Sequence, residues 1–206
     1  VNPPPYWQEA KAHLCNQDPI IRGLIESHPQ DILLNQNNPF YTLTRAIVGQ
    51  QISVKAADAV WQRLEAKLEK VSPDHYLAVE PEILRQIGLS RQKISYITYI
   101  AEAFNNQVLT PHEWEMMEDE AIAKQLMSIK GIGRWTAEMF LIFHLHRPNI
   151  LPLSDLGLFN AINRYYGRGK TLSKAQMLEL SQQWQPYCTV ATWYLWRGLD
   201  PVVVQY

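Results

Sequence analysis

The chain has 206 residues, 47% of them apolar, 19% charged and 11% aromatic, a globular composition with length enough for one large domain or two small lobes. Lys and Arg number 19 against 20 Asp and Glu, a net charge of −1, which argues against a nucleic-acid binder held by bulk positive charge alone. Cys15 and Cys188 are the only cysteines; they are too few for a four-cysteine zinc or iron–sulfur site in this chain and are expected to be ordinary buried thiols.

The N-terminal VNPPPYWQEAK lacks the charged-then-apolar layout of a secretory signal, and no apolar run approaches the roughly 20 residues that span a bilayer. A cytoplasmic protein without membrane contact is expected. Apolar residues recur at helical spacing in segments 6–15, 18–28, 39–49, 53–69, 90–106, 119–129, 133–145, 155–166, 173–184 and 187–198. In 53–69, for example, Val54, Ala57, Val60, Trp61 and Leu64 form one stripe. Breakers such as Pro29, Pro73, Pro81, Gly88, Gly131 and Pro152 fall between the segments, and Ser72 before Pro73 and Ser173 before Lys174 are candidate caps. No stretch alternates like a hairpin strand. The fold class is therefore all-α, about ten helices with short connections. Charge is uneven along it: residues 111–123 carry five acids and no Lys or Arg, whereas 156–178 carry Arg164, Arg168, Lys170 and Lys174 and no acid. Two solvated faces of opposite sign, or one face turned toward phosphates, fit that pattern equally.

Within 126–155, LMSIKGIGRWTAEMFLIFHLHRPNILPLSD, two helices flank Gly131-Ile132-Gly133. Glycines one apart permit positive φ and leave no Cβ in the way. The amides that follow sit at a helix N-terminus, where four N–H groups lack intrahelical partners and the dipole favours an anion. A DNA phosphate answers that need without Lys or Arg. Ile132 is expected to pack inward, and Thr136 to add a hydroxyl contact. On these residues alone, an ordinary tight turn between helices stands beside the phosphate-holding one. Asp155 follows Ser154 and opens the run LGLFNAINRYY. It reads as an N-cap, a place that also favours a charged carboxylate.

The flanks resemble a known family. LMSIKGIGRWTA is similar to the helix-hairpin-helix of the DNA glycosylase superfamily named for that hairpin, a Gly/Pro-rich loop and an Asp. RAIVGQQISVKAADAVWQRL resembles that family's early helix pair, GLSRQKISYI its mid-chain loop and helix, PLSDLGLFNAI its Asp segment, and WQPYCTVATWYLW its closing helix. The resemblance spans nearly the whole chain and fits best the bacterial 3-methyladenine DNA glycosylase II branch, in a minimal all-helical form without a β domain.

The resemblance implies a two-lobed helical fold. Residues 37–148 would form a helical barrel lobe with the hairpin, residues 1–36 plus 149–206 a second lobe carrying Asp155, and the DNA and base site would lie in the cleft between. It implies a hydrolase that flips an alkylated purine of the 3-methyladenine type out of double-stranded DNA and breaks its N-glycosidic bond. Asp155 would stabilise the oxocarbenium-like transition state or activate water, leaving an abasic site for base excision repair. The cationic base departs readily, so no general acid is required. Lyase members place a Lys two residues after the second hairpin glycine; Trp135 stands there, so no strand cleavage is implied.

By motif position the resemblance implies that Trp135 and Trp196 line the base pocket, where flat faces would stack a flipped, cationic base; Met139 and Leu156 are expected beside them, at positions where other members carry Tyr, and Trp193 is expected to be structural. The resemblance further implies DNA contacts for Gly131, Ile132, Gly133, Arg134, Thr136, Gln50, Gln51, Ser53 and Lys93, with Gln51 at the wedge position of the intercalating loop and Arg91 a further phosphate candidate. No cofactor is required; a monovalent cation at the hairpin, held by the main-chain carbonyls of Met127, Ile129 and Ile132, is implied. A monomer at the bacterial nucleoid is expected. A non-catalytic hairpin module for damaged DNA, and a helical interaction domain with a coincidental turn, remain as alternatives.

Overall fold

A computed structural model of the protein describes residues 3–199. Among them the regular structure is helical, with no strand. The order is α1 (Trp7–Gln17), α2 (Pro19–Ser27), α3 (Pro39–Gly49), α4 (Val54–Leu68), α5 (Pro73–Leu77), α6 (Pro81–Ile87), α7 (Arg91–Asn105), a 3-10 turn (Pro111–Met116), α8 (Asp119–Met127), α9 (Arg134–Phe143), α10 (Leu156–Tyr166), α11 (Lys174–Ser181), a second 3-10 turn (Gln182–Trp184) and α12 (Cys188–Leu199). The all-α expectation is met. No helix among the described residues is long and apolar enough to cross a membrane.

The chain divides into two compact units, residues 36–145 and residues 3–35 with 146–199. Residues 1–2 and 200–206 of the expected second lobe lie outside the described residues.

Local chemistry explains where the helices start. Asp18, Asn38 and Ser72 each accept a first-turn amide, and each is followed by a proline whose missing N–H costs nothing at that position. Ser53 and Ser90 cap α4 and α7 in the same way. Ser173 and Gln176 close a reciprocal capping box on α11. Helices α5 and α6 fill a stretch in which the sequence showed breakers. At five and seven residues they are too short to display a 3.6-residue period; Pro73 and Pro81 begin them rather than interrupt them.

In the unit of residues 36–145, α3 is packed against α4, α7 and α9, and Phe40, Leu43, Ala46, Ile47 and Val48 are buried along it. Its one charged core residue, Arg45, is paired with Asp58 and lies 5.7 Å over the Trp61 ring. Those two partners repay the desolvation that a buried guanidinium otherwise suffers. Trp114 sits edge-on to Phe140 at 5.0 Å and closes the far side.

The other unit is built on α1, α2, α10, α11 and α12. Trp7 packs between Trp193, edge-on at 5.3 Å, and Tyr194, stacked at 5.7 Å. Asp18 is its polar hub. Oδ1 caps α2 through the amides of Ile20 and Ile21, while Oδ2 accepts the Tyr166 hydroxyl at 2.7 Å and the Trp184 indole N–H at 2.8 Å. Cys188 is buried, and burial pushes its thiol up to about 12; Cys15 is half-buried rather than buried.

Candidate functional site

The hairpin joins α8 to α9. The amide of Ile132 donates to the Ile129 carbonyl at 3.1 Å, and the Ile132 side chain is buried, which locks the turn from within. The two glycines differ. Gly131 takes a φ of +102°, and a Cβ there would lie 2.2 Å from Cγ of Tyr96 on α7, so the turn and the ring both require glycine. Gly133 has an extended backbone, φ −93° and ψ 178°, as N-cap of α9. A Cβ at Gly133 would meet no atom within 4 Å. The expectation that both glycines serve positive φ thus holds for Gly131 alone, and Gly133 leaves an open approach to the first amides of α9.

A second turn braces the first. Gln50, which follows α3, donates Nε2 to Thr136 Oγ1 at 3.0 Å and to the Gly131 carbonyl at 3.3 Å. Thr136 is 1% exposed, so the hydroxyl expected to face DNA is engaged inside the protein. Lys93 is similarly engaged: Nζ donates to the Val48 carbonyl at 2.7 Å, near the last turn of α3, and burial holds its ammonium below the usual lysine range. Arg134 pairs with Glu120 at 2.7 Å and Glu138 at 3.1 Å on an exposed face. Ser53 accepts the Ala56 amide as N-cap of α4. Gln51, between Gln50 and Ile52, is exposed and holds a φ of +58°, a conformation few side chains adopt; Ile52 beside it is also exposed.

Of the residues expected to line the pocket, Trp135 is half-buried in the first turn of α9. Met139, one turn on, is 1% exposed. Leu156 is 70% exposed at the first position of α10.

Asp155 is the N-cap of α10. Its Oδ1 accepts the Leu158 amide at 2.7 Å and the Trp196 indole N–H at 2.8 Å. The sequence reading anticipated Trp196 as a stacking face; its hydrogen bond to the carboxylate was missed. A donor 41 residues away in sequence leaves no local pattern; only the packing of α10 on α12 brings it there.

Met127, Ile129 and Ile132 supply main-chain carbonyls around the hairpin. Ile129 spends one lone pair on the Ile132 amide and retains the other. A donor set of neutral carbonyls suits a monovalent cation better than a divalent one. Among the described residues no group of three or more His, Cys, Asp or Glu is placed to hold a metal ion.

An all-helical protein with a glycine hairpin ahead of a helix-capping Asp is the build of a helix-hairpin-helix repair protein. The chain belongs to the HhH-GPD superfamily of base excision DNA repair proteins, whose family model matches residues 44–186. It is 32% identical to DNA-3-methyladenine glycosylase 1 of Schizosaccharomyces pombe over 92% of this chain and 86% of that one. In structure it is similar to the S. pombe 3-methyladenine DNA glycosylase Mag1 in complex with abasic DNA, with a TM-score of 0.82 at 32% identity, covering 92% and 95% of the two chains. A DNA-3-methyladenine glycosidase from Bacillus halodurans gives a TM-score of 0.77 at 37% identity, covering 92% and 88%.

Proposed function

We propose that the protein is a monofunctional DNA glycosylase that flips alkylated purines of the 3-methyladenine type out of double-stranded DNA and hydrolyses the N-glycosidic bond. The observation that carries this reading is the Asp155 carboxylate, fixed at a helix N-terminus by two N–H donors in a member of a base-excision family. The names of the relatives support the alkylated substrate class.

As the bond to the base breaks, positive charge grows on the sugar, and a carboxylate already held in place stabilises it without reorganising. The same carboxylate orients or deprotonates the attacking water. A purine methylated on a ring nitrogen such as N3 carries its own positive charge and leaves without a general acid. Trp135 stands where lyase members carry an attacking amine, so base release proceeds without a Schiff base and without strand cleavage.

The N-terminus of α9, approached over Gly133, holds a backbone phosphate of the DNA through its dipole and first-turn amides. Gln51 and its exposed neighbour Ile52 fill the gap left by the flipped base. Gln50, Thr136 and Lys93 brace these turns through bonds within the protein. Trp196 and the exposed Leu156, both beside Asp155, are assigned to the base, as is the half-buried Trp135 of the other unit; Met139, 1% exposed, serves the core of that unit. A monovalent cation on the Met127, Ile129 and Ile132 carbonyls would add positive charge beside the bound phosphate.

The test is mass spectrometry of bases released from methylated duplex DNA by the wild type and by Asp155→Asn. Release of 3-methyladenine by the wild type, lost in Asp155→Asn with DNA binding retained, is the expected result. Unchanged release by the variant would overturn the role of Asp155, and no release by either would leave a non-catalytic module for damaged DNA.

A further inference from the structure

The N-cap role of Asp155 accounts for one of the two donors on its Oδ1, the Leu158 amide. It does not account for the indole N–H of Trp196, which reaches the same oxygen from α12 at 2.8 Å. A single donor lets a carboxylate swing about its Cβ–Cγ bond. Two donors converging on one oxygen from different elements fix its plane.

Gly157 adds a second observation. It occupies the second position of α10 without a positive φ, so the backbone does not require glycine, and within a helix glycine is less favourable than alanine. A Cβ at Gly157 would lie 3.0 Å from Asp155 Oδ1 and 3.3 Å from both Cδ1 and Nε1 of Trp196. That is closer than a carbon normally sits to either group, so an added methyl would crowd both partners of the bond and displace one of them by a few tenths of an ångström.

We propose that Trp196 and Gly157 are positioning residues for Asp155: the indole N–H orients the reacting carboxylate, and the missing Gly157 side chain leaves room for that contact. The inference rests on the reading of Asp155 as the carboxylate that stabilises the sugar cation. It assigns Trp196 a role through its ring edge, distinct from stacking through its face. The orientation matters because attraction between the carboxylate and the developing charge falls with separation, and small misplacements of a reacting group cost rate out of proportion to affinity.

The experiment is single-turnover release of 3-methyladenine from a methylated duplex, with DNA affinity measured in parallel. The proteins compared are wild type, Asp155→Asn, Trp196→Phe, Gly157→Ala and the Gly157→Ala/Trp196→Phe double variant. Phe keeps a stacking face and removes the N–H. A hydrogen bond to a charged group corresponds to roughly tenfold to hundredfold in rate. Trp196→Phe is therefore expected to slow excision by at least about tenfold, with DNA affinity within about threefold. Gly157→Ala is expected to slow it likewise, and to add less than about threefold in the Trp196→Phe background, because both changes act on one contact. A Trp196→Phe rate within about twofold of wild type, with Asp155→Asn inactive, overturns the positioning role and leaves the function standing. Excision at the wild-type rate by Gly157→Ala overturns the clearance role. Excision retained by Asp155→Asn overturns the functional reading and this inference with it.

Discussion

Residues one apart in the hairpin have different work. Gly131 is held by sterics: its φ is +102°, and the Tyr96 ring occupies the space where a Cβ would project. Gly131→Ala combines left-handed strain with a clash, and it is expected to lower stability by about 2–4 kcal/mol, measured by urea denaturation. At Gly133 a methyl group meets nothing in the protein, and it trades a favourable N-cap residue for reduced unfolded-chain entropy. Gly133→Ala should therefore change stability by less than about 1 kcal/mol while weakening DNA binding, because the methyl blocks the approach to the α9 amides. Undiminished affinity of Gly133→Ala for a DNA duplex would show that the phosphate is held elsewhere. The GIG pattern was visible in the sequence. The difference between its two glycines was not, because it depends on a tyrosine 35 positions earlier in the chain.

Among the elements, α10 is anchored at both ends. Asp155 caps its start, and Tyr166 in its last turn donates to Asp18, which also caps α2 and accepts the Trp184 indole. Burial and the neighbouring Asp18 carboxylate push the Tyr166 hydroxyl well above the ordinary tyrosine range, so it stays protonated and able to donate. Asp18→Ala removes the cap and strands the buried Trp184 indole and the half-buried Tyr166 hydroxyl, an expected loss of about 3–5 kcal/mol. Chemical denaturation of Asp18→Ala, Tyr166→Phe and the double variant checks it: additive losses would mean that the two groups are not one network. Helices such as α1, α4 and α7 were legible from the 3.6-residue period, because each buries one face. The pieces that escaped, α5 and α6, are shorter than two turns of useful pattern. Nothing in the sequence singled out Asp18; its partners are separated from it by 148 and 166 positions.

For the molecule as a whole, the half-buried imidazole of His146 makes stability sensitive to acid. His146 lies at the start of the second segment of the unit formed by residues 3–35 and 146–199, with its carbonyl accepting the Tyr6 hydroxyl at 2.5 Å. Its Nε2 is buried without a hydrogen-bond partner among the described residues. Burial lowers its pKa from 6.5, outweighing a backbone hydrogen bond to Leu34 that raises it. The unfolded chain therefore takes up the proton first. The stability contributed by neutral His146 is fully present above pH 6.5 and is lost as pH falls toward the depressed folded value. The melting temperature should drop on acidification below that point, with a shallower slope in His146→Asn, a residue that tolerates the φ of +52° at this position. Identical slopes in a pH series of thermal melts would assign the acid sensitivity to other groups.

The sequence by itself determined the all-helical class, the hairpin and the Asp at a helix start. These are local: helical period, capping and turn chemistry operate over a few residues, so a linear chain displays them. Only the tertiary structure decided which polar groups are engaged inside the protein. Thr136 and Lys93, both expected at the DNA, bond to Gln50 and Val48, and Trp196 meets Asp155 edge-on through its N–H. Such pairings follow from how helices pack. A buried donor takes whatever acceptor the packing brings within 3 Å, and no spacing along the chain encodes which one that is.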